Sequence, residues 1–247
     1  MSNHPNAAQP MHDALKESWE RNAGLWRDAV RDDLIPSRKT VTNRAIIDAA
    51  AALKPRRVLD MGCGEGWLIR ALSANLDPAR GAGSALVGAD GSKALVAAAR
   101  AADAAATYLA LDYRVFTEDP SLAGGPFDLV VYNFSLLDDR VTDVLAASRR
   151  VLDDDGVILV QTVHPRTACG DAPYEDGWRT EGFDGFSSGA WQPMPWYFRT
   201  TESWRAAGTA AGLALVSSQE PVDPARGEPA SLLLTLKASA ENNRDGL

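Results

Sequence analysis

The sequence predicts an α/β fold built on a doubly wound, seven-stranded, mostly parallel sheet, with an N-terminal helical lid and an aromatic insert after the fifth strand. Three observations carry this expectation. Between residues 57 and 163 short apolar runs alternate with helical patterns, the rhythm of successive βαβ units. The runs are of the fully buried kind, such as Phe127-Asp128-Leu129-Val130-Val131-Tyr132, as a sheet covered on both faces requires. One of them, Val58-Leu59-Asp60, ends in a carboxylate and enters Met61-Gly62-Cys63-Gly64-Glu65-Gly66 before a helix that starts near Trp67. Open α/β sheets bind ligands at the carboxyl ends of their strands, and glycine there permits a tight turn and close approach of a ligand to bare backbone.

Residues 1–54 are read as a tail and a helical cap. Residues 1–11 are polar and contain proline, so they are expected to be disordered. A helix follows from about His12 to Ala29, with Leu15, Trp19, Leu25 and Trp26 among polar residues. After Pro36, Thr40 to Leu53 forms a second helix on the spacing of Val41, Ala45, Ile46 and Ala49, closed by Lys54-Pro55. The core spans residues 55–238. Its first strand, 57–60, leads to a helix at 66–76, a Gly- and Pro-containing loop at 77–84, and a second strand, Ala85 to Asp90. Ser92 suits the N-cap of the next helix, which runs to about Ala102. A third strand is placed at Thr107–Leu111, ended by Asp112. The fourth is Phe127 to Asn133, after the turn Gly124-Gly125-Pro126. A helix with Val141, Val144, Leu145, Val151 and Leu152 on one face stops before Gly156, and Val157–Val163 is the fifth strand.

Residues 165–199 break the rhythm and show no clear period, yet they hold eight of the eighteen Phe, Trp and Tyr residues, which argues against a disordered insert. Thr201 is expected to cap a helix to Ala211, ended by Gly212. Strands at Ala214–Ser217 and Ser231–Leu236 complete the seven, and residues 239–247 form a polar tail.

Composition narrows the function. The 247 residues suffice for one α/β domain with additions. A net charge of −8 and a pI near 4.9 oppose a nucleic-acid surface, which needs a basic face. The two cysteines, Cys63 and Cys169, form no spaced metal pattern and are read as free thiols in a reducing cytoplasm, with no metal site expected. Met1 to His12 holds no Lys or Arg and no apolar run, so a signal peptide is not expected, nor is a membrane span. The oligomeric state is not legible.

The glycine turn was compared with the dinucleotide fingerprint Gly-x-Gly-x-x-Gly. That spacing fails in both registers: counted from Gly62 the third glycine falls on Trp67, and counted from Gly64 it falls on Ile69. Asp60 and Glu65 flank the turn and suit a ligand bearing positive charge rather than a pyrophosphate. The pattern Asp60-x-Gly62-x-Gly64-x-Gly66 after an apolar strand resembles the first motif of the class I S-adenosylmethionine-dependent methyltransferases. The resemblance is specific over residues 58–139, and the order of elements extends it over nearly the whole chain.

What the resemblance implies is a Rossmann-like core, S-adenosyl-L-methionine as cofactor, S-adenosyl-L-homocysteine as product, and a set of cofactor-binding residues. Asp60, Gly62, Cys63 and Gly64 would form the turn at the cofactor. Asp90, followed by Gly91, would accept the ribose hydroxyls, with a loop-capping role as the structural alternative. Leu111, Asp112 and Tyr113 would meet the adenine, the carboxylate taking its exocyclic amine. Asn133-Phe134-Ser135-Leu136 stands at the family's fourth motif without the Pro-Pro-aromatic sequence of many nucleic-acid base methylating enzymes. Asn133 is therefore expected to line the pocket through its backbone and Phe134 to pack near the methionine moiety.

In the lid, Arg38 would hold the methionine carboxylate and Trp26 would cover that end; against this stands a purely structural reading of both. His164, after the fifth strand, is the candidate catalytic base or acceptor-binding residue, against a structural histidine. His4 and His12 are assigned no role. The aromatic insert points to a small, planar or aromatic methyl acceptor. Rival readings are a protein methyltransferase, a non-catalytic S-adenosylmethionine-binding protein and, weakened by Trp67, an NAD(P)-dependent oxidoreductase.

Overall fold

A computed structural model describes residues 9–76, 85–186 and 190–239. The expected tail at residues 1–8, the loop at 77–84 and the chain from residue 240 lie outside the described residues. The cap opens with α1 (Gln9–Arg31), longer at both ends than its apolar spacing suggested, so residues 9–11 are its first turn rather than tail. Arg38–Thr42 then winds as a π-helical turn and runs directly into α2 (Asn43–Ala52). Ile46 and Ala50, one helical turn apart, are fully buried against the core.

The alternation follows as read: β1 (Arg57–Met61), α3 (Trp67–Asn75), β2 (Ala85–Asp90), α4 (Lys93–Ala102), β3 (Thr107–Ala110), α5 (Tyr113–Glu118), β4 (Phe127–Asn133), α6 (Val141–Arg149) and β5 (Leu152–Val163). After it come α7 (Pro165–Cys169), β6 (Gly177–Glu181), β7 (Met194–Phe198), α8 (Thr201–Ala210) and β8 (Leu213–Gln219). The short pair β9 (Val222–Asp223) and β10 (Glu228–Pro229) precedes β11 (Ser231–Ala238).

Seven strands form one sheet in the order β3-β2-β1-β4-β5-β11-β8. β11 runs antiparallel to both its neighbours and the other six share one direction. The strand order reverses between β1 and β4, the place at which open α/β sheets bind ligands outside the carboxyl ends of their strands. Alternate residues feed two cores. Leu59, Met61, Val130, Tyr132, Ile158 and Val160 pack with Phe116, Val144, Leu145 and Trp204. Val58, Leu129, Val131, Val157 and Leu159 pack with Ile46, Leu68 and Leu72. No described helix is long and apolar enough to cross a membrane.

Four local expectations are corrected. β3 stops at Ala110, and Asp112, expected to end that strand, instead caps α5, an element absent from the sequence reading: its Oδ1 accepts the Val115 amide at 3.0 Å. The helix before Gly156 ends at Arg149; Val151 lies in the turn, its carbonyl accepting the Phe127 amide at 2.8 Å, and Leu152 begins β5. Thr200, not Thr201, caps α8, since its Oγ1 accepts the Ser203 amide at 3.1 Å. The insert is not aperiodic throughout: Gly177–Glu181 and Met194–Phe198 pair as an antiparallel hairpin. Its two strands are far apart in sequence and flanked by Gly and Pro, so neither carried a visible alternation.

Candidate functional site

The turn after β1 is built by backbone geometry. The amides of Gly62 and Cys63 both donate to the Ala89 carbonyl, at 2.7 and 3.0 Å, which ties the turn to β2. Gly62, Gly64 and Gly66 all have positive φ, at 78°, 56° and 82°, a region L-residues enter at a cost. The three glycines differ in surroundings. A Cβ on Gly62 would lie 2.3 Å from Ser135 Cβ and 2.7 Å from the Tyr113 hydroxyl, whereas one on Gly64 would meet nothing within 4 Å. Gly62 is thus required by the fold and Gly64 faces free space. Cys63 contributes only its backbone, because its side chain is buried with Ile69, Val96 and Tyr108.

Two carboxylates flank this turn, and the structure treats them differently. Glu65 is buried and neutralised, with Arg31 Nε at 2.9 Å and Arg70 Nη2 at 2.6 Å. Its charge is therefore not offered to a ligand, contrary to the sequence expectation. Asp60 is 1% exposed, and its Oδ1 has no hydrogen-bond partner. Burial, reinforced by the charge of Asp90, pushes its carboxyl up to about 8. The unfolded chain ionises this group near 3.8 while the folded chain keeps it protonated to about 8. The folded state then holds the extra proton, and stability falls as pH rises through that interval. Urea midpoints measured at pH 5 and pH 8 are expected to fall in the native chain and to differ less in Asp60→Asn; an equal fall in both would assign the slope elsewhere.

Asp90, at the end of β2, accepts the Gly64 amide at 2.9 Å and the Ser92 amide at 2.8 Å. Burial raises its pKa, the two amides oppose this, and Glu20 adds to the rise. Beside it, Gly91 leaves room for Asp112: a Cβ at Gly91 would stand 3.1 Å from Asp112 Cβ. Asp112 Oδ2 accepts from Lys16 Nζ at 3.1 Å. Partial burial pulls the Asp112 carboxyl upward, but the Val115 amide, Lys16 and Arg114 together hold it below the usual range. Leu111 is buried, and the Tyr113 hydroxyl donates to the Met61 carbonyl at 3.2 Å. A cavity of about 460 Å³ lies here, lined by Gly91, Ala110, Leu111, Asp112, Val115 and Lys93 from the core and roofed by Lys16 and Glu20 of α1.

At the end of β4, Asn133 leaves a buried Oδ1 without a partner. Phe134 adopts φ 54° with its amide on the Gln161 carbonyl at 2.7 Å, backbone strain of a kind concentrated at functional sites. Arg38 is half-buried; its guanidinium stacks over Trp67 at 4.5 Å and its Nε donates to Asn43 at 3.2 Å, with burial lowering its pKa.

The structure therefore gathers Asp60, Gly62, Gly64, Asp90, Gly91, Leu111, Asp112, Tyr113, Asn133 and Phe134 along the carboxyl edge of β1–β4, with Arg38 beside the helix that follows the turn. One expected residue stands elsewhere. Trp26 stacks on Trp19 at 5.3 Å and meets Trp191 edge-on at 5.1 Å, in a small core of lid and insert with Leu15, Phe183 and Met194. Much of the insert's aromatic content is spent on that contact. His164 is buried, neither ring nitrogen is hydrogen-bonded, and the carboxylate beside it is Glu220, 3.7 Å away.

The sequence reading missed the polar face of α1. His12, Lys16 and Glu20 recur every fourth residue and so share a face. They reach the loops after β4, β3 and β2: His12 Nε2 lies 2.6 Å from Asp139 Oδ1, Lys16 holds Asp112, and Glu20 lies 3.4 Å from Ser92 Oγ. Nothing in the helix itself distinguishes these from ordinary solvated residues. The backbone turn, an unpartnered Asp60 oxygen, the carboxylates of Asp90 and Asp112 and an adjoining cavity suit a ligand that is a nucleoside at one end and carries hydrogen-bond donors at the other.

Residues 59–158 match the model of a family described as a methyltransferase domain. No curated protein matches the chain by sequence. Solved structures resemble it in fold. An S-adenosylmethionine-dependent methyltransferase from Mesorhizobium loti is 23% identical, covering 76% of this chain and 95% of its own, with a TM-score of 0.56. The 1,6-didemethyltoxoflavin-N1-methyltransferase of Burkholderia thailandensis, with bound 1,6-didemethyltoxoflavin and S-adenosylhomocysteine, is 18% identical, covering 97% and 93%, with a TM-score of 0.63. The DhpI-SAM-HEP complex is 17% identical, covering 94% and 100%, with a TM-score of 0.64.

Proposed function

We propose that the chain is an S-adenosylmethionine-dependent methyltransferase of the class I fold and that it methylates a small, planar or aromatic molecule, a reading supported by the match of residues 59–158 to a methyltransferase-domain model and by the shared fold. The observation that carries the site assignment is the roofed cavity lined by Gly91, Leu111 and Asp112, next in the chain to Asp90, whose carboxylate holds the Gly64 amide of the turn. S-adenosylmethionine, when bound, supplies an electrophilic methyl group on a sulfonium. Asp90 accepts the ribose hydroxyls, and Leu111 and Asp112 hold the adenine. The turn at Gly62 and Gly64, with Asp60, meets the methionine end. The partnerless Asp60 oxygen and the Cβ-free space at Gly64 fit this ligand. Arg38 is the guanidinium for the carboxylate, and the backbone at Asn133 and Phe134 borders the reacting end.

The small-acceptor reading is supported by how the end of the sheet is closed. α1 and the insert meet over it through an aromatic core and through Asn22, which accepts the Gln192 amide at 2.9 Å and donates to the Gln192 carbonyl at 2.8 Å. Such a cover excludes water from a transfer whose chief demands are alignment and a dry pocket. The Burkholderia protein, similar over nearly its whole length, holds a small molecule and S-adenosylhomocysteine together. The test is transfer of labelled methyl from S-adenosylmethionine into a small-molecule extract and, separately, into a protein extract. Label in small molecules is the expected result; label in protein alone would overturn the acceptor class.

His164 is the candidate base. His164→Ala is expected to lower turnover by roughly 10²-fold, the lower end of a positioned base, while calorimetric affinity for S-adenosylhomocysteine stays unchanged. Full turnover across pH would leave the residue a structural one.

A further inference from the structure

The roof of the cavity is not a passive cover. Glu20 stands at its mouth on α1, with Oε2 3.4 Å from Ser92 Oγ. Asp90 holds the amide of the same serine at 2.8 Å, so two carboxylates converge on Ser92, one from the lid and one from the sheet. Their mutual repulsion is evident in the upward pull of Glu20 on the Asp90 pKa. Among the described residues no Lys, Arg or His lies within ion-pair distance of either: Lys16, which lines the same cavity, is engaged with Asp112 at 3.1 Å. A like-charge pair at the edge of a cavity, Glu20 lining it and Asp90 adjoining its Gly91 wall, is unfavourable alone and is relieved by a ligand that brings donors and no negative charge.

We infer that Glu20 and Asp90 form a two-sided clamp on the vicinal hydroxyls of the ribose, making the lid helix part of cofactor recognition; this rests on the S-adenosylmethionine reading of the site. Two adjacent O–H groups are donors that the carboxylate oxygens, each with a further lone pair, can accept beside the bonds they already hold. Ser92 holds the carboxylates in register, its amide on Asp90 and its hydroxyl on Glu20.

The experiment is calorimetric titration of the full chain and of Glu20→Gln with S-adenosylhomocysteine and with its 2′,3′-dideoxy analogue. Glutamine keeps the size of the side chain and removes its charge. The variant is expected to bind S-adenosylhomocysteine about 10-fold more weakly, the scale of a charged hydrogen bond at a part-exposed position, and to bind the dideoxy analogue as the native chain does. Glu17→Gln, on the same helix and paired with Arg21, is the control and leaves both affinities unchanged. Native-like affinity of Glu20→Gln for S-adenosylhomocysteine overturns the clamp, and so does an equal loss for both ligands, which would mean that Glu20 only steadies the lid. A native chain that binds neither ligand would instead overturn the cofactor reading, and the clamp with it.

Discussion

Gly62→Ala is expected to lower the stability of the whole chain by about 3 kcal/mol, whereas Gly64→Ala should lower it by only about 1–2 kcal/mol and abolish cofactor binding. At Gly62 the added methyl would sit 2.3 Å from Ser135 Cβ and 2.7 Å from the Tyr113 hydroxyl. Neither neighbour is free to yield, because Ser135 and Tyr113 both donate to the Met61 carbonyl, at 2.8 and 3.2 Å. Overpacking of a fixed site costs about 1–3 kcal/mol, and alanine at φ 78° adds about 1–2 kcal/mol. At Gly64 only the backbone cost remains, since nothing stands within 4 Å of the new carbon. The methyl then occupies the space where the turn offers its backbone to the ligand. Urea unfolding and titration with S-adenosylhomocysteine on both variants separate the two effects. Equal stability loss in both would show that the turn tolerates no side chain anywhere, and that Gly64 carries no specific role in binding.

Asp90→Asn is expected to weaken S-adenosylhomocysteine binding by about 2 kcal/mol, roughly 30-fold, within the range for a hydrogen bond to a charged group. The asparagine retains one oxygen, and with it one of the bonds from Gly64 and Ser92 that the native carboxylate makes at 2.9 and 2.8 Å. The fold is thus largely preserved while the second acceptor and the charge are lost. Removing the charge also relieves the burial penalty that raises the Asp90 pKa, so the free protein should not lose stability in proportion. Calorimetry decides: unchanged affinity would reduce Asp90 to a cap for the Ser92 turn.

Much of this site could be read before any coordinates. Asp60, Asp90 and Asp112 each follow an apolar run, and an apolar run ending in a polar residue marks the edge of a buried sheet. Local chemistry sufficed wherever the evidence lay within one element and its flanking turn, as in the strand, glycines and helix at 57–75. It failed at boundaries. Asp112 caps a short helix, and Thr200 rather than Thr201 begins α8, because capping depends on which hydroxyl or carboxylate reaches an amide three residues on. It failed too for charge: Glu65 reads as a companion to Asp60 until Arg31, from another helix, and Arg70 neutralise it.

The sequence by itself determined the sheet, its mostly parallel direction and the turn after its first strand, since these follow from periodicity and from residues adjacent in the chain, and the resemblance of that turn to a known motif implied the cofactor class. Only the tertiary structure decided how each charge is used. Lys16 and Glu20 look like any solvated pair on a helix until α1 is laid across the strand ends, where one meets Asp112 and the other Ser92. Trp26 looks like a cover for the ligand until the insert folds back and takes it into its own core. Ion pairs, orphaned acceptors and cavities belong to contacts between segments distant in sequence, and no local pattern encodes which distant partner a side chain will meet.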